Sequence, residues 1–410
     1  MSLLFFASPA AAQITVFESE DEETYLDLGG YAQSVTGVQV LPYEEVPFLS
    51  DDPRGINSQV VRLEWDGQLT DSVGFAVHNR LYSQIVTGDQ LLDGEETGPV
   101  GLGASVAPDR TLDLSTEIVD ETGLLIDHDI DRAAFDFFTE SADITVGRQA
   151  ITWGRATLFP VADLWTKFSP FELDQTQKRG TDAARALFYP SYETEIDVVV
   201  ADRGSLEDLS AGVRAARTFG WGDAFVAGGK MWDQGMAMAG VSVTGNSIKG
   251  RLEVTEPFDL DESEFDLPRA TVGGDYLKGK LQLSLEYHFN GAGAVEPDAY
   301  LDQLQSEVFE RGETYFLGRH YMGGLVNYSG FERTDLSLST IANVGDPSAM
   351  IAPNLRYVLS DEADISIGGF HGVGDGIDYF TDSSLVDAIE INSEYGTYGS
   401  MVFTQLRIFY

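Results

Sequence analysis

The sequence predicts an all-β protein: a transmembrane, antiparallel, up-and-down β-barrel of about 18 strands, with 16 as the alternative count. Three observations carry this. Period-2 alternation of apolar and polar residues recurs along the whole 410 residues. Short and long connections between the alternating segments mostly take turns, as short periplasmic turns and long extracellular loops would. The last eight residues, Phe403 to Tyr410, read as a strand with Leu406, Ile408 and Tyr410 on one face and Gln405 and Arg407 on the other.

Bulk composition narrows the alternatives. Mean hydropathy is −0.11, and no apolar stretch of about 20 residues occurs, so transmembrane helices are excluded. The 43 glycines and 17 tyrosines favour strands and turns. With no cysteine there is neither a disulfide framework nor a thiolate metal site. A net charge of −42 argues against nucleic acid as a partner, because phosphate binding needs clustered Lys and Arg. It argues equally against docking on anionic lipid through a basic surface.

At the N-terminus, "MSLLFFASPAAAQ" has an apolar run from Leu3 to Ala7 and small residues at Ala10 and Ala12. Residues 1–12 read as a secretory signal peptide without a basic n-region, either atypical or preceded by further sequence. Residues 13–23 then form a periplasmic N-terminal segment, and 24–410 a single barrel domain.

Strands are expected near 24–35, 57–67, 72–86, 130–139, 143–152, 181–188, 193–201, 208–217, 222–232 and 235–244. They continue near 247–256, 268–277, 280–289, 320–329, 333–342, 348–360, 363–372 and 396–410. The clearest is Lys280 to Asn290, with Leu281, Leu283, Leu285, Tyr287 and Phe289 opposite Lys280, Gln282, Ser284, Glu286 and His288. Tight turns are expected at Glu140-Ser141-Ala142, Tyr189-Pro190-Ser191-Tyr192 and Ser360-Asp361-Glu362, and long loops at 87–129, 153–180, 257–267, 290–319 and 373–395.

Alternation alone does not choose between a sandwich, a propeller and a barrel. The face opposite the apolar one is repeatedly charged, which fits a wet lumen. Aromatics gather near strand ends (Tyr25, Trp65, Tyr82, Tyr276, Tyr287, Phe289, Tyr328, Tyr357, Tyr398), as interfacial girdles would. No 40-to-50-residue repeat supports a propeller. An apolar-striped final strand exposed to water would be an aggregation template. Pairing with the first strand, with lipid over the stripe, removes that hazard.

"FTQLRIFY" resembles the C-terminal signal of Gram-negative outer-membrane proteins, with Leu406, Ile408 and Tyr410 as its apolar and aromatic positions. Gly147 to Ala186, "GRQAITWGRATLFPVADLWTKFSPFELDQTQKRGTDAARA", resembles a segment of porin-like proteobacterial barrels, distantly similar to alginate-export-type families. The resemblance implies the Gram-negative outer membrane, one barrel of about 18 strands and inward-folded loops. Implied partners are outer-membrane lipid and lipopolysaccharide, small polar solutes, and the barrel-assembly machinery acting through the last strand.

By strand parity Arg62, Arg80, Arg132, Arg214, Lys230, Lys249, Arg251, Arg269, Arg356 and Arg407 point away from the apolar face, with Arg185 beside them. Arg148 is out of phase with Ile144 and Val146, and a bulge at Gly147 would turn it inward. With Asp136, Glu253 and Glu286 these bases would line the pore, and as a set the bases would form a basic track for anions. The alternatives are that they brace the wall against Glu64, Asp136, Glu195, Asp197, Glu253, Asp275, Glu286 and Asp335, or that the overall acidity gives a cation preference. The loop with Trp153, Arg155, Trp165, Lys167, Lys178 and Arg179, broken by Pro160 and Pro170, either folds inward as a constriction or caps the outside. Pro297 to Gly312 reads as a short helix, with Leu301, Leu304 and Val308 as its stripe, that lies over the pore or packs on a loop.

Acidic loop segments either bind divalent cations that bridge lipopolysaccharide or are simply solvated, and none has EF-hand spacing. The five histidines are scattered, no catalytic or nucleotide-binding motif occurs, and no cofactor is expected. The function expected is passive diffusion of small polar, potentially anionic, solutes. Alternatives are a plugged structural or adhesion barrel, or an exporter of an acidic polysaccharide.

Overall fold

The computed structural model describes residues 14–20, 23–42, 52–88, 110–166, 177–204, 208–380 and 389–410. The signal-peptide expectation at 1–12 and Lys167 lie outside the described residues.

Eighteen strands follow one another around a closed antiparallel barrel. They are β1 (Tyr25–Val40), β2 (Arg54–Thr70), β3 (Val73–Thr87), β4 (Leu124–Phe138), β5 (Ala142–Gln149) and β6 (Thr181–Ser191). Next come β7 (Thr194–Ala201), β8 (Ser210–Phe219), β9 (Gly222–Met231), β10 (Gln234–Thr244), β11 (Ile248–Asp259) and β12 (Arg269–Lys278). The circuit ends with β13 (Leu281–Asn290), β14 (His320–Phe331), β15 (Thr334–Asn343), β16 (Ser348–Ser360), β17 (Ala363–Val373) and β18 (Ser400–Phe409). β18 pairs with β17 on one edge and with β1 on the other, from Tyr31 opposite Phe409 to Val40 opposite Ser400. Closure leaves no barrel strand with a free edge along its paired length. Tyr410 seals the seam: its hydroxyl donates to the Arg62 carbonyl at 2.8 Å, and its ring lies over Gly30, where a Cβ would meet it at 3.1 Å.

Each strand buries one side-chain row and exposes the other. On β2, Val61 and Leu63 are exposed while Arg62 between them is buried; on β16, Ile351, Leu355 and Tyr357 are exposed while Asn354 and Arg356 are buried. The exposed row is apolar around the barrel, which suits contact with lipid, and the enclosed row is polar. Two tyrosines expected in the girdle sit inside instead. Tyr82 lies on the enclosed row of β3 against Tyr31, Val60 and Phe409, and Tyr398 is buried in a loop beside Tyr395.

Several boundaries differ from the sequence expectation for local reasons. β4 starts at Leu124, not 130, because Ser115–Glu121 turns back through Thr122 and Gly123 (φ +81°) and pairs with it. β5 stops at Gln149, and β6 runs through Pro190 to Ser191 before turning. Ile377–Tyr379 and Ile389–Ile391 form a hairpin inside the 373–395 connection. The expected 297–312 helix is broken into a 3₁₀ turn, Pro297–Ala299, and two short helices, Tyr300–Leu304 and Glu307–Glu310. Ser306 breaks it by capping the second helix, accepting from the Phe309 amide. Ahead of the barrel, Ile14–Glu18 pairs with Tyr25–Leu28 at the start of β1.

Candidate functional site: an inward loop and a charged wall

The connection after β5 leaves the wall and crosses the enclosed side. Its sequence, with Gly154 and Pro160, supports no ladder, so its main-chain N–H groups need other acceptors. Two fully buried carboxylates on the wall supply them. Glu253 on β11 accepts from the amides of Arg155, Ala156 and Ala162 at 2.5, 3.1 and 3.3 Å. Glu286 on β13 accepts from three consecutive amides, Thr157, Leu158 and Phe159, at 2.6, 2.7 and 3.1 Å. Thr255 and Thr271 donate in return to the carbonyls of Val161 and Phe159 at 2.9 and 2.7 Å.

Packing fixes both ends of this loop. Trp153 and Trp165 meet edge to face at 5.1 Å within an apolar cluster that includes Ile151, Leu164, Phe225 and Met236. A Cβ on Gly212 would meet the Trp153 ring at 2.9 Å, so glycine on β8 makes room for the indole. At the tip, Phe159 stacks on His288 at 5.2 Å and joins Phe316, Tyr321 and Tyr395. Gly323 on β14 plays the same part there, since a Cβ would stand 2.6 Å from both Leu158 and Phe159.

The bases are held by acids. Arg62 pairs with Glu64 and, at 2.6 Å, with Asp131; Arg80 with Asp127; Arg185 bidentately with Asp197; Arg214 with Glu195. Arg251 pairs with Asp275 and with Glu286, so the same carboxylate clamps a base and the loop. Arg269 pairs with Glu313, and Arg356 and Arg407 share Asp364. Arg132 donates to the carbonyls of Asp131 and Lys178, and Asp136 accepts from the Thr145 hydroxyl at 2.6 Å. Lys230 and Lys249 are half-buried. Among the described residues most of these bases are paired with acids, the geometry of a braced wall.

Arg148 is fully buried, but not through a bulge at Gly147. Register is continuous through β5, and the strand turns at Gly147 with φ +124°. Arg148 then clamps Asp182 at 2.8 and 3.1 Å and donates to the carbonyls of Ile130 and Leu112. The bulge lies in β4, where Asp131 is the extra residue between the His78–Arg132 and Asn79–Ile130 pairs. That bulge lets Asp131 reach Arg62.

Of the loop residues singled out in the sequence, Trp153 donates its indole N–H to Asp197 at 2.8 Å, and Lys178 bonds Asp163 and Thr152. Arg155 faces Asp223 at 3.3 Å and Arg179 makes no ion pair among the described residues. Sequence reasoning missed Arg110, which grips Asp129 at 2.8 and 2.9 Å, and the anchoring part taken by Glu253 and Glu286. Strand parity marked both glutamates as enclosed, but carries no sign of what a loop 100 residues away will offer them. Leu406 and Ile408 are on the exposed outer row of β18.

No protein family description and no curated protein sequence matches this chain. Among solved structures it is similar to Acinetobacter baumannii OccAB4, with a TM-score of 0.56 and 7% identity over 96% of this chain and 100% of the other. It is similar to Pseudomonas aeruginosa OprD, with a TM-score of 0.53 and 10% identity over 95% of each chain. It is also similar to the Pseudomonas aeruginosa outer membrane protein OpdK, with a TM-score of 0.53 and 8% identity over 94% of this chain and 99% of that one; OpdK has also been solved with vanillate. At these identities the likeness is one of fold, and it extends over nearly the whole chain.

Proposed function

We propose that this chain is a Gram-negative outer-membrane channel through which small polar solutes diffuse passively, narrowed by the 150–166 loop. The observation that carries the reading is the loop itself: it runs inside the barrel and is tied to the wall by six amide-to-carboxylate bonds. A loop so fixed sets a constant aperture, which suits selection by size and polarity without turnover. The apolar outer row and the polar enclosed row support a membrane-spanning, water-filled barrel. OpdK, solved with vanillate, supports small solutes as the class of cargo.

In this reading Trp153, Arg155, Trp165, Lys178 and Arg179, with Lys167, form the constriction region. The enclosed Arg, Lys and acid side chains line the path. Their mutual pairing weakens both a strong anion preference and export of an acidic polysaccharide, which needs a lumen basic throughout. Outer-membrane lipid and lipopolysaccharide would cover the outer row. Leu406, Ile408 and Tyr410 would be the segment that the barrel-assembly machinery reads.

The test is recording of the refolded protein in a planar bilayer under a KCl gradient. Stepwise conductance with a permeability ratio within roughly threefold of unity is expected from a compensated wall. Folded protein that carries no current would overturn the reading.

A further inference from the structure

The outward row is apolar around most of the barrel, as at Leu252, Leu285, Val326, Leu338 and Leu355, but one sector differs. It lies at the closing seam, on β18, β1, β2 and β3. Thr404 is directly opposite Thr36, Thr36 opposite Asn57, Ser34 opposite Gln59, and Gln59 opposite Ser83. Exposed Val38, Val402 and Ile85 flank these six side chains toward the long-loop rim, and exposed Val61, Leu81 and Leu406 toward the short-turn rim. The polar group is therefore inside the apolar band, not at its edge. Thr36 and Thr404 are exposed and the other four half-buried, so all are reached from outside the barrel. Within the group Asn57 donates to the Thr36 hydroxyl at 2.7 Å, and Gln59 to Ser34 and Asn57 at 2.9 and 3.0 Å. Among the described residues the Gln59 carbonyl oxygen and the Ser83 hydroxyl make no hydrogen bond.

Lipid tails offer such groups nothing to bond, so polar side chains on a lipid-facing row are costly. Lipopolysaccharide phosphates would need cations, and the outward rows of β18, β1, β2 and β3 carry no charged side chain. We propose that this sector is an interface between two copies of the chain, packed seam to seam about a two-fold axis along the membrane normal. Copies inserted in one membrane share an orientation, so a single patch that meets itself generates a pair. The group suits self-pairing. Its amides and hydroxyls both donate and accept, so each copy satisfies the other. It carries no charge to repel its twin. Beside it Ala32 and Gly55 lie on the same outward row, and small side chains let two walls approach closely.

The experiment exploits a chain without cysteine. Thr36→Cys, Asn57→Cys and Gln59→Cys are made singly, with Leu252→Cys as control, an exposed position on β11, nine strands round the barrel from β2. Each full-length protein is expressed in a Gram-negative outer membrane, shown to be folded by heat-modifiable mobility, and oxidised with copper phenanthroline. Two cysteines join only where their Cα atoms come within about 7 Å, so a disulfide reports the positions nearest the axis. At least one seam variant is expected to give a covalent dimer at least about tenfold more abundant than Leu252→Cys gives. Asn57→Leu with Gln59→Leu makes the sector as apolar as the rest, so the barrel should still fold while its dimer dissociation constant in detergent rises at least about tenfold. Should the cysteine variants fail to fold, that double variant carries the test through its mass in sedimentation. Equal crosslinking at Leu252 and the seam, no crosslink at any seam position, or a parent that sediments as a monomer or a trimer would each overturn the interface. A monomeric parent whose co-purifying lipopolysaccharide is lost in the double variant would overturn it too, and would assign the sector to lipid.

Discussion

The indole of Trp153 donates to Asp197 at 2.8 Å, and Asp197 is at the same time held by both arms of the Arg185 guanidinium. The root of the inward loop is therefore fixed to β6 and β7 by a fully buried carboxylate whose lone pairs are shared between loop and wall. Trp153→Phe keeps the ring against Trp165 and Gly212 but removes the donor. A loss of about 1–2 kcal/mol is expected, read as a lower thermal midpoint for the heat-modifiable gel mobility shift. An unchanged midpoint would show that packing alone fixes the root.

Glu286→Gln leaves one oxygen where three amides point and adds two N–H groups facing them. Amide exchange at Thr157, Leu158 and Phe159 should speed up by at least about tenfold, while the β13–β14 ladder keeps its protection. Equal acceleration along β13 would instead mean that the carboxylate braces the wall.

Gly323→Val puts methyl groups where Leu158 and Phe159 now approach the backbone, at Cβ distances of 2.6 Å. The loop tip is expected to move away from β14, and the single-channel conductance to change with it. A conductance equal to the parent's would place the tip outside the solute path.

How much of this was readable from residues alone depends on range. The 18 strands follow from alternation, because an apolar exposed row and a polar enclosed row impose a period of two along the strands wherever no bulge interrupts them. Arg62, Arg214 and Arg356 fell on the enclosed row for that reason. Their partners were less legible: Asp131 reaches Arg62 only through a bulge, and Arg148 turns only at a glycine with positive φ. The loop was visible as a non-strand segment rich in Trp and Arg. Its inward course depends on Glu253 and Glu286, about 100 residues away, and on gaps at Gly212 and Gly323, which no local pattern announces.

Arg62 and Asp131 are both almost fully buried and pair at 2.6 Å, while Glu64 also holds Arg62 and the Arg132 guanidinium stands 3.6 Å from Asp131. Arg62→Met leaves buried Asp131 with only the longer contact to Arg132 and should cost up to about 3–5 kcal/mol, whereas Arg62→Met with Asp131→Leu should recover most of it. A double variant as weak as the single one would mean that the guanidinium's other contacts, to Glu64 and His78, matter more.

At the loop rim, Glu394 accepts from Tyr321, from Asn343 at 3.0 Å and from the Leu317 amide at 3.2 Å, joining the 291–319 and 374–399 connections. Complete burial pushes its carboxyl up to about 8, against the lowering by Tyr321 and the Leu317 amide, with the Asp346 charge adding to the rise. A raised carboxyl contributes stability that is full below its unfolded value and is lost as pH rises through the folded one. Proteolysis within 374–399 should therefore accelerate as pH is raised from about 5 to 9, and Glu394→Gln should flatten that profile. A parent protein with no such dependence would mean that the carboxyl does not titrate with folding between those pH values.

The most direct measurement compares single-channel conductance in the parent and in Glu253→Gln with Glu286→Gln, both shown to be folded by heat-modifiable mobility. If the loop narrows a channel, losing both anchors should give a changed mean conductance and marked flicker as the loop moves in the lumen. Identical, quiet conductance in the two proteins would contradict the claim that the pinned loop sets the aperture.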